Sequence, residues 1–113
     1  MRQPTFFDSD GGPKDVGVER VVLYALGDFQ ERGKVLAERD LPFDRLRGAL
    51  RRAAEAFGTE TPGDEEAAAA LSALGAQVRR VPTFFAKHPF RVVVPVPLAE
   101  KSRRFFLETK KGD

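Results

Sequence analysis

The chain of 113 residues has no cysteine, no asparagine and a single histidine. Without thiols neither a disulfide framework nor a thiolate zinc site can be built. One histidine cannot supply a multi-histidine metal centre or a two-histidine mechanism. No apolar run approaches the roughly 20 residues that a membrane span needs, so no membrane partner is expected. Met1 to Asp8 holds no apolar stretch of signal-peptide length, which makes the cytoplasm the expected location. Scarce methionine and glutamine beside 32% charged residues match the profile of a protein from a heat-loving source.

The motifs that carry chemistry are missing as well. Asp8-Ser9-Asp10-Gly11-Gly12, with Glu19 at the twelfth position, begins like a calcium loop. It fails inside, because Gly12 stands where an oxygen donor belongs and Pro13 where a glycine must turn the chain sharply. No glycine-rich loop leads into a helix to cradle phosphates, so no nucleotide cofactor is expected. Ser9, Ser72 and Ser102 lack the setting of a nucleophile elbow, and His88, between Lys87 and Pro89, has no carboxylate placed to orient it. No catalytic or metal-ligating residue is therefore assigned.

What is present fits one folded domain over residues 1–113, with 42% hydrophobic residues and an irregular Pro-, Gly- and Asp-rich arm at 1–14. Residues 16–29 carry Val18, Val21, Val22, Ala25, Leu26 and Phe29 at helical spacing, yet their valines and Tyr24 also suit a strand. Residues 34–39 read as a short strand. Leu41, Phe43, Leu46, Ala49, Leu50, Ala53, Ala54 and Phe57 predict a helix over 42–57, capped by Asp40 and stopped at Gly58. A second helix follows from Pro62 to Leu74, with Asp64, Glu65 and Glu66 at its positive end. Residues 76–81 read as a strand. Prolines at 82, 89, 95 and 97 with period-two spacing predict an antiparallel hairpin of 90–98 and 103–109. In that hairpin Pro95 and Pro97 would leave one edge unpaired. The expected class is α+β: two consecutive helices packed on a mostly antiparallel sheet ending in a C-terminal β-hairpin.

Residues Val35 to Leu50 superficially resemble the helix-turn-helix of winged-helix DNA readers, with the C-terminal hairpin as the wing. The resemblance covers a short part of the chain. It departs in the turn, which lacks the usual glycine and contains Pro42. Asp44 with Arg47, and Arg51 with Glu55, also have the spacing of ordinary intrahelical pairs.

Charge is distributed unevenly. Residues 1–75 carry ten basic and fourteen acidic side chains, whereas 76–113 carry nine basic and three acidic. The basic third is either a docking surface or the half that pairs with the acidic part of the same molecule. Phe6-Phe7, Phe84-Phe85 and Phe105-Phe106 are doubled, and in strands such pairs demand cover on both faces. The functional expectation is a non-catalytic interaction protein, a homo-oligomer using a basic, aromatic C-terminal sheet as contact surface. The alternative is nucleic-acid binding through the same surface, and a small-molecule enzyme comes third. The candidate binding residues are Arg91, Arg103, Arg104, Phe106, Phe84 and Lys87. About five neutralised phosphates would give a log-log salt slope near −4 to −5 on a duplex.

Overall fold

Helix α1 (Gly12–Glu31) resolves the ambiguous period of residues 16–29. Val21, Val22, Leu23, Ala25, Leu26 and Phe29 are all buried, so apolar side chains cover more than half of the circumference of this helix. So wide an apolar arc belongs at the centre of a fold, and α1 contacts every other helix. That central place is why its pattern shows no clean polar face. The computed structural model describes residues 12–80 and 90–112.

Beyond α1 the chain forms β1 (Asp40–Pro42), a 3-10 turn (Phe43–Leu46), α2 (Arg47–Phe57), α3 (Asp64–Leu74), β2 (Gln77–Arg80), β3 (Phe90–Val93) and α4 (Val96–Gly112). The α+β class holds, with the two consecutive helices, α2 and α3, close to their expected bounds. Gly58 stops α2 with φ 67°, a left-handed conformation that costs glycine nothing. Helix α3 begins two residues later than its Thr61-Pro62 signal suggests. Gly63 is the N-cap, and its N–H donates to the Glu66 carboxylate at 3.2 Å. Residues 34–39 are irregular, apart from a bridge of Ala37 to Val94, instead of a strand. The helix-turn-helix geometry is therefore not formed at 35–50.

The sheet is antiparallel with order β1-β3-β2. Leu41 pairs with Val92 and Pro42 with Arg91 on one side, while Val78 pairs with Val92 and Arg79 with Arg91 on the other. Leu41, Val92 and Phe90 are buried on the face that meets the helices, and Phe90 packs edge-on against Phe43 at 6.2 Å.

The C-terminal β-hairpin is the expectation that the structure overturns. Residues 96–112 form α4, and the strand ends at Val93 with a last bridge at Val94. Pro97 lies in the first turn of α4, where a backbone N–H has no intrahelical partner, so its missing donor costs nothing. The Ala99 N–H closes that turn on the Pro95 carbonyl at 3.0 Å. Leu98, Ala99, Ser102 and Phe106 are buried at i, i+1, i+4 and i+8, a helical stripe that lies along α1. The edge predicted for Pro95 and Pro97 is likewise corrected: β3 is the central strand, paired on both sides, and both prolines lie beyond its ladder.

Helix α4 runs antiparallel to α1, and their closeness depends on Gly27. A Cβ there would stand 2.3 Å from the Phe106 Cβ and 2.6 Å from the Ser102 carbonyl oxygen. Gln30 donates to the Ala99 carbonyl at 2.9 Å, and Ser102, fully buried, returns its hydroxyl to the Leu98 carbonyl at 2.7 Å. Glu38, the non-glycine residue with positive φ at 63°, accepts the Val96 N–H at the start of α4 at 3.3 Å.

Candidate functional site

Strand alternation sends Asp40, Pro42, Gln77, Arg79, Arg91 and Val93 to the face of the sheet opposite the core. Asp40, Gln77 and Arg79 are exposed there, and Arg91 and Val93 are half-buried. The register sets Arg79 directly opposite Arg91. Like charges facing each other across a strand pair are unfavourable, and Asp40 offsets the pair. Its Oδ2 accepts from Arg79 Nη2 at 2.7 Å and its Oδ1 from Arg91 Nε at 3.0 Å. Arg91 Nη2 also donates to the Asp40 backbone carbonyl at 3.2 Å. Since β1 and β2 flank β3, the Arg79 side chain crosses the central strand to meet this carboxylate, and the trio spans the sheet, about 10 Å between outer strands.

The Asp40 carboxyl is held below its ordinary value. The hydrogen bond from Arg91 is the largest cause; partial desolvation opposes it, and the Arg79 bond with the charge of both guanidinium groups adds to the lowering. Asp40 is thus charged throughout the neutral range. A strand position, not the expected helix cap, gives this residue its role.

The expected site residues do not come together on one sheet. Arg91 lies on the open face. Arg103 and Arg104 are exposed on α4, where Arg103 donates to Glu31 of α1 at 2.7 Å. Phe106 is 5% exposed and fills the α1–α4 seam, edge-on to Tyr24 with ring centroids 4.7 Å apart. Its ring therefore serves the core and is closed to a stacked base. Its neighbour Phe105 turns about 100° round the helix toward Phe57 instead of to an opposite sheet face. Phe84 and Lys87, with Phe85 and His88, lie outside the described residues, as do Phe6 and Phe7.

Four of the nine basic residues at 76–113 pair, among the described residues, with three carboxylates from the acidic part of the chain. Arg79 and Arg91 meet Asp40, Arg80 meets Glu65 at 2.8 Å, and Arg103 meets Glu31. Arg80 also lies over the Phe90 ring at 4.6 Å. Sequence reasoning missed Arg79 and Asp40. The alternation Gln77-Val78-Arg79 was the available signal for the first, and nothing local marked the second.

A cleft of about 920 Å³ opens between α1 and the α2–α3 connection, lined in part by Arg20, Phe57, Thr59, Glu60 and Glu66. Glu66 is engaged in capping α3, and the Arg20 guanidinium lies over Phe57 and Phe105 at 5.7 and 6.0 Å. Among the described residues no three histidine, aspartate or glutamate side chains gather to hold a metal. No described helix is long and apolar enough to cross a membrane. Compared with known protein families, curated proteins and solved structures, the chain matches none.

Proposed function

We propose that this protein is a non-catalytic interaction module whose contact surface is the open face of its sheet and whose partner is a nucleic-acid strand. One observation carries the reading: two arginines face one carboxylate on an exposed sheet surface, which leaves a net positive charge there. A phosphodiester chain supplies the missing negative charge. Internal pairing of Arg80 and Arg103 limits the footprint, so the slope of −4 to −5 expected from the sequence is too steep. The one net positive charge of this face neutralises one phosphate, which on a single strand gives a slope of about −0.7.

Self-association through the same face is the other expectation. It would bring the arginine pairs of two copies together with only their two Asp40 carboxylates between them, and that surplus of like charge disfavours it. The deciding experiment is fluorescence anisotropy of a labelled single-stranded oligonucleotide against salt, beside light scattering. Weak binding with a slope near −0.7 and a monomer by scattering support the nucleic-acid reading. A dimer with no oligonucleotide binding at 20 mM salt, a condition of about 20 Å Debye length, overturns it.

A further inference from the structure

We infer, resting on that reading of the sheet face, that Arg79 and Arg91 form a two-guanidinium seat for one phosphodiester group, with Asp40 as the residue that positions both side chains. The register brings the two arginines side by side on adjacent strands, and Asp40 ties each by one side of its carboxylate. These contacts occupy one donor nitrogen of Arg79 and two of Arg91. A guanidinium offers about five N–H groups in a planar fork, so most of the donors on this face remain to be used. Arg79 keeps 60% of its side-chain surface exposed.

Charge selects the ligand. The trio sums to one positive charge, which a singly charged oxyanion neutralises and a dianion overshoots. A phosphodiester is singly charged at every physiological pH, and its two free oxygens can each accept from one guanidinium in the manner that Asp40 already shows. The same two-to-one ratio recurs at Asp28, which accepts from Arg52 at 2.6 and 2.8 Å and from Arg32 at 3.3 Å. There the carboxylate is buried between α1 and α2, and the cluster ties two helices together. The two clusters differ in the carboxylate, whose side chain is 10% exposed at Asp28 and 46% at Asp40, while Arg32 and Arg52 are about as open as Arg79 and Arg91.

The test follows the arginine Nε–Hε signals by NMR while the protein is titrated with dimethyl phosphate at constant ionic strength, with acetate as a parallel arm. Saturable shifts at Arg79 and Arg91, with those of Arg20 and Arg45 unmoved, are expected. Arg79→Gln should abolish saturation at Arg91 and weaken oligonucleotide binding about five-fold, flattening the salt slope by about 0.7. Linear shifts shared by all arginines overturn the seat. So does acetate saturating as tightly as dimethyl phosphate, which marks a carboxylate receptor. Oligonucleotide binding that survives both Arg79→Gln and Arg91→Gln overturns the seat and moves the contact surface off this face, leaving of the proposed function only its nucleic-acid partner. Loss of all oligonucleotide binding with the dimethyl phosphate site intact overturns the proposed function alone.

Discussion

Gly27 carries no side chain because none fits. The Phe106 Cβ and the Ser102 carbonyl occupy the space where a methyl would stand. An alanine there gains up to about 1 kcal/mol of helix propensity, yet it must push α4 away from α1. The clash wins, and Gly27→Ala should destabilise by about 2 kcal/mol in urea unfolding. A gain in stability would show that α1 and α4 are not packed this closely. At Asp40 the sign of the pH dependence follows from its lowered value. A carboxyl whose folded-state pKa is depressed adds stability above its unfolded value and loses it as pH falls through the folded one. Asp40→Asn should therefore be less stable than the wild type at pH 7. The difference should shrink only in acid below the ordinary carboxylate value of 3.8, a comparison that urea unfolding of both proteins at a series of pH values makes directly.

Elements differ in how much of themselves they write into local sequence. Helices α2 and α3 were legible because their signals are short-range. An apolar period leads to Gly58 in one case, and three acidic residues precede a run of alanines in the other. Helix α4 was not legible, because Phe90-Arg91-Val92-Val93-Val94-Pro95-Val96-Pro97-Leu98 keeps period two across the boundary between strand and helix. Pro97 read as a helix breaker is a helix starter one turn from the end of β3, and only the burial of Leu98, Ser102 and Phe106 against α1 distinguishes the two. Two substitutions separate the helix from a hairpin. Pro97→Ala should change stability by less than about 1 kcal/mol and leave the oligomeric state as it was, since no ladder edge depends on that proline. Arg104→Pro, at an exposed site in mid-helix, should cost about 3 kcal/mol or more, read by thermal or urea unfolding. A mild Arg104→Pro would contradict α4.

Across the whole molecule the two unequal halves of the charge distribution pair in part. Glu31, Asp40 and Glu65, from the acidic part, take up Arg103, Arg79, Arg91 and Arg80 from the basic part. The sequence made the imbalance visible. It could not say which pairs would form, because each joins residues at least 15 positions apart through a fold that had to exist first. For the same reason little of the candidate site was legible: Arg91 stood out, but on a hairpin that does not form, and its neighbours Arg79 and Asp40 are set by strand register. Lys101 and Arg104 are exposed on α4, with Glu100 and Glu108 four residues to either side of Arg104. That mixed face competes with the open sheet as a place for an anionic partner. Amide chemical-shift mapping of the full chain with a single-stranded oligonucleotide at low salt decides between them most directly. Shifts gathered on Asp40, Gln77, Arg79, Arg91 and Val93 are the predicted result, and shifts gathered on Lys101, Arg104 and Leu107 of α4 would contradict it.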